Sequence, residues 1–494
     1  MWQLISWPPP GRREPVILCV SEKGPGVALK RLRLIQRRKA LGYTQEALAE
    51  QLGCERTTVI RWERAETEPQ PWLRPRLVHV LQLTAEELNE LLADVADVPS
   101  AREGFTLVTS VPLDFSLSAA YTVRIMEGFA AHDIASRREA LADLAIITGA
   151  ALLRPVRQWA TSLALLTGSP PEVGTDEVAE LEQAVTLFRR WDASGAGGLR
   201  RKAVVGQLNA VAETLGEHNP PAITRRLFQV TAELAQLSGW MAYDQGLFGV
   251  AQRYYLLALH ACRESSSPDL GAKIIGDMTQ LSTALGHYED SLTMVRTALY
   301  SLPRYASSLV RSELLGLESR AYAQIGENQT GNADRSAQTC VAVYDEAPQG
   351  EPAPDWIHYM NQAEVDCLAA NTYIELALHA TTPSRWQHYA TRAEVHSLRA
   401  RQARSEGYVR SRVFDEIRVA KVRLAQREPA ESAAVGMHAL ELATETRSSL
   451  VVNWLNRFSR DLTGRHPDVP EVALFGEQAR NYIRKAAPAR AREL

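Results

Sequence analysis

Glu55, Arg56, Thr57, Thr58 and Arg61 fall at the start and along one side of a short segment whose other side carries Val59 and Trp62. Carboxylate, guanidinium and hydroxyl groups gathered on one helical face, backed by an apolar stripe, are the groups that hydrogen-bond to base edges in a DNA major groove. Such a helix must be held at a fixed angle by a neighbour. The residues before it supply one: Thr44 to Leu52 reads as a helix with Ala47, Leu48 and Leu52 on one face, and Gly53 stands where it must stop in a left-handed conformation. Two short helices meeting at this bend predict helix-turn-helix geometry.

The surroundings agree. Leu29 to Leu41 has leucines and an isoleucine at three- and four-residue spacings between basic residues, which predicts a further helix capped by Gly42. From Lys30 to Arg76 there are 11 Lys/Arg against six Glu, a balance of +5 in a chain whose formal net charge is −3, so the remainder carries −8. A basic N-terminal module on an acidic body fits nucleic-acid contact at one end, because phosphate neutralisation supplies most sequence-independent affinity. Lys30 and Arg31 are the expected phosphate contacts of this kind.

Gly42-Tyr43-Thr44-Gln45-Glu46, Leu48-Ala49, Gly53, Val59, Trp62-Glu63 and Glu68-Pro69 resemble the five-helix DNA-binding domain of the lambdoid phage repressors and bacterial Xre-type regulators. Pro69 to Trp72 with Leu77 to Leu83, and then Leu88 to Leu92, look like its fourth and fifth helices. The resemblance covers about 65 residues. It implies that Gln45 caps the second helix and touches a phosphate. Glu55, Arg56, Thr57 and Thr58, with Arg61 a turn later, would read bases, and Arg38 would pair with Glu63 in a structural role. Ala65 departs from the pattern, which often has glycine there, and leaves the exit from the third helix less defined.

At 494 residues the chain should hold two or more domains, and 45% hydrophobic residues can bury ordinary cores. No run of about 18 uncharged apolar residues exists to span a membrane. Trp2, Leu4, Ile5 and Trp7 precede Pro8-Pro9-Pro10 and the first charges, the wrong order for a secretory signal, so residues 1–26 read as a disordered extension. The five cysteines are scattered without CxxC spacing, a reduced, cytoplasmic pattern with no metal site or disulfide framework expected. A nucleoid-associated protein in the cytoplasm is the expectation.

From about residue 125 onward Ala, Leu, Arg, Glu and Gln dominate, which predicts an all-α body. Within it Gly246, Gly286 and Gly326 recur at 40-residue intervals, with Leu234, Ile274 and Leu314 in register before them. Ala251, Tyr255, Ala258 and Leu259 correspond to Ser291, Val295, Ala298 and Leu299 after them. In the third unit Ala333, Ala337 and Cys340 lie two places late, implying a longer turn. Gly239, Ala251, Tyr255 and Ala258 resemble the small-residue pattern of a tetratricopeptide repeat, although 40 residues exceeds its usual length of about 34. Stacked hairpins of this kind bury a continuous core and curve around a concave face. Further hairpins are expected over Trp356 to Arg404 and Arg412 to Ala443, with Val451 to Ala486 as a terminal cap.

The expected organisation is an extension (1–26), a helix-turn-helix domain (27–95), a linker (96–124), a helical connecting region (125–230) and a tetratricopeptide-like domain (231–494). Ser136-Arg137-Arg138-Glu139 and an apolar helix after it resemble the segment joining two such domains in actinomycete-type regulators. Gly195 to Gly198 lacks the strand and Lys-Ser/Thr of a phosphate loop, and reads as a turn between helices. No catalytic or metal motif is present, no cofactor is expected, and His79, His358 and His388 read as ordinary helical histidines.

In tetratricopeptide proteins the first helix of each hairpin lines the concave groove. By register this selects Gln236, Trp240 and Tyr243 in the first unit, Gln280 in the second, and Arg320 and Gln324 in the third, as candidate contacts for a peptide or small-molecule effector. Ordinary helix surface or packing, Trp240 in the core included, is the competing explanation for each. Two functions follow. One is a dimeric transcription regulator, not an enzyme, that binds double-stranded operator DNA at an inverted repeat and senses an effector; the resemblance is to regulators of secondary metabolism, development or peptide signalling in Gram-positive bacteria. The other is a DNA-tethered scaffold whose repeats dock a protein partner.

Overall fold

The computed structural model describes residues 29–30, 34, 37–38, 43–63, 67–70, 72–81, 83–84, 88, 92, 96–97, 119–135, 144–163, 176–193, 199–217, 219–348, 353–405, 407–446 and 448–486. Residues 1–26, the Arg31 side chain, Ala65, Ser136 to Glu139 and Gly195 to Gly198 lie outside them, as does most of the expected linker. Among the described residues the protein is all-α, with nineteen α-helices and one two-residue antiparallel ladder. It divides into two compact units, residues 1–106 and 107–494.

In the first unit, α1 (Gln45–Leu52) starts after Thr44, whose hydroxyl accepts from the Ala47 N–H at 3.1 Å. It ends at Gly53 with φ 68°, and the N–H groups of Gly53 and Cys54 return to the carbonyls of Glu50 and Ala49. A side chain at that φ is disfavoured by its own Cβ, so glycine makes the turn at least cost. Helix α2 (Arg56–Glu63) and helix α3 (Arg74–Val80), which has Pro75 in its first turn, complete the well-defined core elements. Leu48, Ala49, Leu52, Val59, Trp62, Leu77 and Leu81 pack with Leu34, Leu88 and Leu92, residues that are themselves helical. Ala49 rather than Ala47 is the buried alanine of α1. Pairing of Leu29 with Asp97 and Lys30 with Ala96 brings the two ends of this unit together.

The second unit begins with α4 (Ala119–Ala135), so helix starts inside the stretch expected as linker. Helices α5 (Ala150–Leu163), α6 (Asp176–Ala193) and α7 (Leu199–Leu215) follow. Leu144 to Thr148 is not helical, contrary to the sequence reading. Its backbone is held by Gln252, which donates to the Ile147 carbonyl at 2.8 Å and accepts from the Ile147 N–H at 2.7 Å. An amide side chain thus substitutes for a neighbouring strand. Deeper in, Asp133 of α4 takes both guanidinium arms of Arg201 from α7 and the Tyr254 hydroxyl, at 2.6 Å, from the second repeat helix.

The glycine register then sets hairpins. Helices α8 (Pro221–Asp244) and α9 (Phe248–Ser265) turn at Gly246, and α10 (Pro268–Ala284) and α11 (Tyr288–Ser301) turn at Gly286. Between α12 (Ser308–Ile325) and α13 (Thr330–Asp345), Gly326 is followed by a 3-10 turn over Glu327–Gln329, which accounts for the two-residue slip. The first helix starts at Pro221, ten residues earlier than the repeat boundary suggested. Helices α8 and α9 approach closely at Gly239, where a Cβ would lie 2.6 Å from the Tyr255 ring.

Three more hairpins follow: α14 (Gln362–His379) with α15 (Pro383–Ala403), α16 (Val409–Ala425) with α17 (Pro429–Ala443), and α18 (Ser449–Arg465) with α19 (Pro470–Ala486). Trp356 to Met360, expected in helix, forms turns ahead of α14, and His358 therefore sits on a turn. The first helices of successive hairpins pack side by side, and α18 comes back against α8. Ser448 donates to Asp244 at 2.6 Å, Arg457 donates to the Ala284 carbonyl at 2.5 Å, and Arg410 bridges Asp192 and Asp244 at 3.2 and 3.4 Å. The last hairpin thus returns to contact the first.

Candidate functional site

The geometry of the first unit fixes what α2 presents. Val59 and Trp62 point into the core, leaving Glu55, Arg56, Thr57 and Arg61 exposed and Thr58 half-buried. Arg56 reaches back to Glu46 of α1 at 2.6 Å, with both side chains more than half exposed. Exposed ion pairs of this kind are weak and exchange readily for a stronger acceptor, so Arg56 stays available to a base or phosphate. Thr57 donates to Glu55 at 3.0 Å, which orders the start of the helix.

Beneath this face Glu63 is the structural anchor. It accepts from Arg38 Nε at 2.6 Å and from Gln45 Nε2 at 2.6 Å, while Arg38 Nη1 donates to the Tyr43 carbonyl. Arg38 and Glu63 side chains are only 7% and 5% exposed. One buried carboxylate therefore ties three helices at the point where α1 begins. The role assigned to Gln45 changes accordingly: Thr44 is the helix cap, and one Gln45 amide N–H is directed inward to Glu63, an arrangement that spacing alone did not reveal. Arg37 adds a second tie, donating to the Leu81 carbonyl at 2.9 Å. The Lys30 and Arg31 side chains lie outside the described residues.

In the second unit the six candidate effector contacts separate into two groups. Trp240, Gln280 and Arg320 are half-buried positions within stretches of buried residues. Gln324 is also half-buried and lines, with the Gly286–His287 turn and the first residues of α11, a cleft of about 360 Å³. Tyr243 is buried, its ring 5.6 Å from Trp240 and 5.9 Å from Phe248. Gln236 is a correction. Its amide is used at both ends, accepting from Arg189 at 2.9 Å and donating to Asp277 at 2.6 Å. The helix α6, which no repeat pattern announces, covers this part of the groove, and Lys273, Asp277, Glu313 and Tyr359 complete a buried polar cluster beneath it.

Sequence reasoning missed the inner-face residues of the later hairpins. Arg418 and Lys421 of α16 and Trp454 of α18 meet Arg320, with the three cations 5.8 to 6.0 Å from the Trp454 ring centre. No glycine extends the 40-residue register past Gly326, so nothing in the spacing selected them.

Burial pushes the Tyr243 hydroxyl up to about 12, with Arg320 and Arg457 opposing. The unfolded chain loses this proton near pH 10, whereas the folded chain keeps it until about 12, so the associated stability is complete below pH 10 and is lost as pH rises through that window. The Tyr243→Phe protein should lose about 1 kcal/mol less stability than the parent between about pH 9 and about pH 11. Urea titrations at the two pH values check this; identical losses would show that the hydroxyl is not shielded as described.

Among the described residues no helix is long and apolar enough to cross a membrane, and no group of His, Cys, Asp and Glu has the arrangement to hold a metal ion. No curated protein matches the chain. A family model described as helix-turn-helix matches residues 34–73, the stretch containing α1, α2 and the Arg38–Glu63 anchor. Residues 34–73 thus form a DNA-binding helix-turn-helix, the reading module of a transcription regulator.

Proposed function

We propose that the chain is a sequence-specific transcription regulator that acts as a homodimer in the cytoplasm, without catalysing a reaction, and that its helical unit is a tetratricopeptide-like sensor of a peptide or small molecule. The carrying observation is the exposed polar face of α2 set on a buried Val59–Trp62 stripe. Glu55, Arg56, Thr57, Thr58 and Arg61 are its base-reading set. One such head reads few base pairs, so two heads on an inverted repeat are needed for useful discrimination. The half-buried Trp240, Gln280 and Arg320 support the sensing role, because they offer indole, amide and guanidinium groups inside a shielded face.

Selection of bound sequences from a random DNA pool, with the full chain and with residues 27–95, tests this reading. An inverted repeat bound tightly only by the full chain supports a dimer assembled by the helical unit. No enrichment in either case removes the sequence-specific role and favours a tethered scaffold. Arg56→Ala and Arg61→Ala should each weaken binding to the selected site by about 1–3 kcal/mol, roughly 5- to 150-fold, and leave random-DNA binding much less affected. Equal losses on both DNAs would reduce these residues to phosphate contacts.

A further inference from the structure

Arg320 is a half-buried arginine of the helical unit that makes no ion pair among the described residues. Its Nε is shielded from solvent and donates to nothing. Among the described residues no carboxylate lies within ion-pair distance of its guanidinium; Glu375 acts on it only from further off, and the Trp454 ring centre is 5.9 Å away. The other two cations around that indole are engaged. Arg418 donates to Asp415 at 2.5 Å and to Asn371 at 3.1 Å, and Lys421 has Glu375 at 3.8 Å. Burial draws Arg320 down from its ordinary pKa, and the pull of Glu375 in the other direction does not offset it.

A guanidinium remains protonated in proteins and presents paired N–H groups that match a planar two-oxygen acceptor. Leaving the shielded Nε–H unmet is unfavourable, so an anion would complete a site of this form. Arg320, Arg418 and Lys421 share two carboxylates, Asp415 and Glu375, so one positive charge is in excess around the indole, which favours a monoanion over a phosphate dianion. Aromatic rings lie around it: Trp454 at 5.9 Å, and Tyr243, within electrostatic reach of Arg320, with Trp240 a further 5.6 Å from the Tyr243 ring. Gln280, one register position from both Trp240 and Arg320, adds a neutral amide.

We propose that Arg320 is the anion receptor of the effector site and that it takes the carboxylate of a small organic acid whose apolar, preferably aromatic, body lies against Trp454 and Trp240. This rests on the reading of the inner face as a sensing surface, and gives that surface a ligand class.

The test uses the full chain. Phenylacetate and phenylbutyrate, their neutral amides, and inorganic phosphate are titrated by calorimetry and by tryptophan fluorescence. The acids should bind saturably and raise the melting temperature, with the amides about 30-fold or more weaker. Arg320→Gln should abolish the preference for acid over amide while the protein remains folded, since it removes an uncompensated charge; Arg320→Lys should restore part of it. Acids and amides binding equally well, with Arg320→Gln indifferent and Trp454→Ala damaging to both, would overturn the carboxylate role and leave a ligand-binding inner face standing. Arg320-dependent binding of phosphate alone would overturn the choice of a carboxylate. Absence of binding by every probe, in parent and variants alike, would overturn the proposal and withdraw this surface as the sensing site.

Discussion

Glu63→Ala lowers the stability of the N-terminal unit by about 3–5 kcal/mol, the expected cost of stranding a buried charge by deleting its partner. Among the described residues Arg38, 7% exposed, is left with the Tyr43 carbonyl alone, and the Gln45 amide loses its acceptor. Arg38→Ala should do comparable damage from the other side, leaving Glu63 buried with only a neutral donor. Replacing both by apolar residues of similar volume should recover most of the loss, because the net value of a buried pair is far smaller than the cost of breaking it. Hydrogen exchange over residues 45–63 in the full chain reads the effect directly. Unchanged protection in Glu63→Ala would show that the pair does not support the turn. Specific DNA binding should fall with protection, although no changed residue belongs to the base-reading set.

Asp133→Ala should destabilise the helical unit by a similar amount, about 3–5 kcal/mol. Asp133 is 1% exposed, accepts both arms of Arg201 and also receives the Tyr254 hydroxyl, so its removal strands a guanidinium and a phenol together. Tyr254→Phe removes one hydrogen bond to a charged group and should cost about 1.5–3 kcal/mol. The comparison carries an architectural meaning. Asp133 and Arg201 belong to α4 and α7, outside the repeats, whereas Tyr254 belongs to α9 inside them. If Asp133→Ala lowers one cooperative urea transition of the whole unit, the connecting helices and the repeats fold as one body; a separate early transition for residues 119–215 would show that they do not.

How much of this was legible in the sequence differs between the units for a physical reason. The helix-turn-helix is encoded locally: a hydroxyl cap at Thr44, an apolar period over Leu48, Leu52, Val59 and Trp62, and a left-handed glycine at Gly53 act over a few residues each. The pairing of Arg38 with Glu63 spans 25 positions and was reached only through resemblance; the Gln45 link to the same carboxylate was not reached at all. In the helical unit the turn glycines marked three hairpins because a positive φ is a strict local demand. The helix expected by resemblance after Glu139 is absent over Leu144 to Thr148, where Gln252, more than a hundred residues away, holds the Ile147 backbone. Gln236 was misassigned because α6 covers a face that the repeat register treats as open. Trp454 escaped notice because it belongs to the groove only through the return of α18 to α8.

That return changes what kind of object the repeat array is. An open stack of hairpins interacts only with nearest neighbours, so it can fray from either end and its stability grows almost unit by unit. Here the last hairpin caps the first, through Ser448 on Asp244 and Arg457 on the Ala284 carbonyl, contacts between residues 204 and 173 positions apart. Cutting the chain after α17 would remove one hairpin and, at the same time, uncover another two hundred residues upstream. Closure of so long a loop must also await formation of the hairpins between, which raises contact order and slows folding relative to a linear array of the same length.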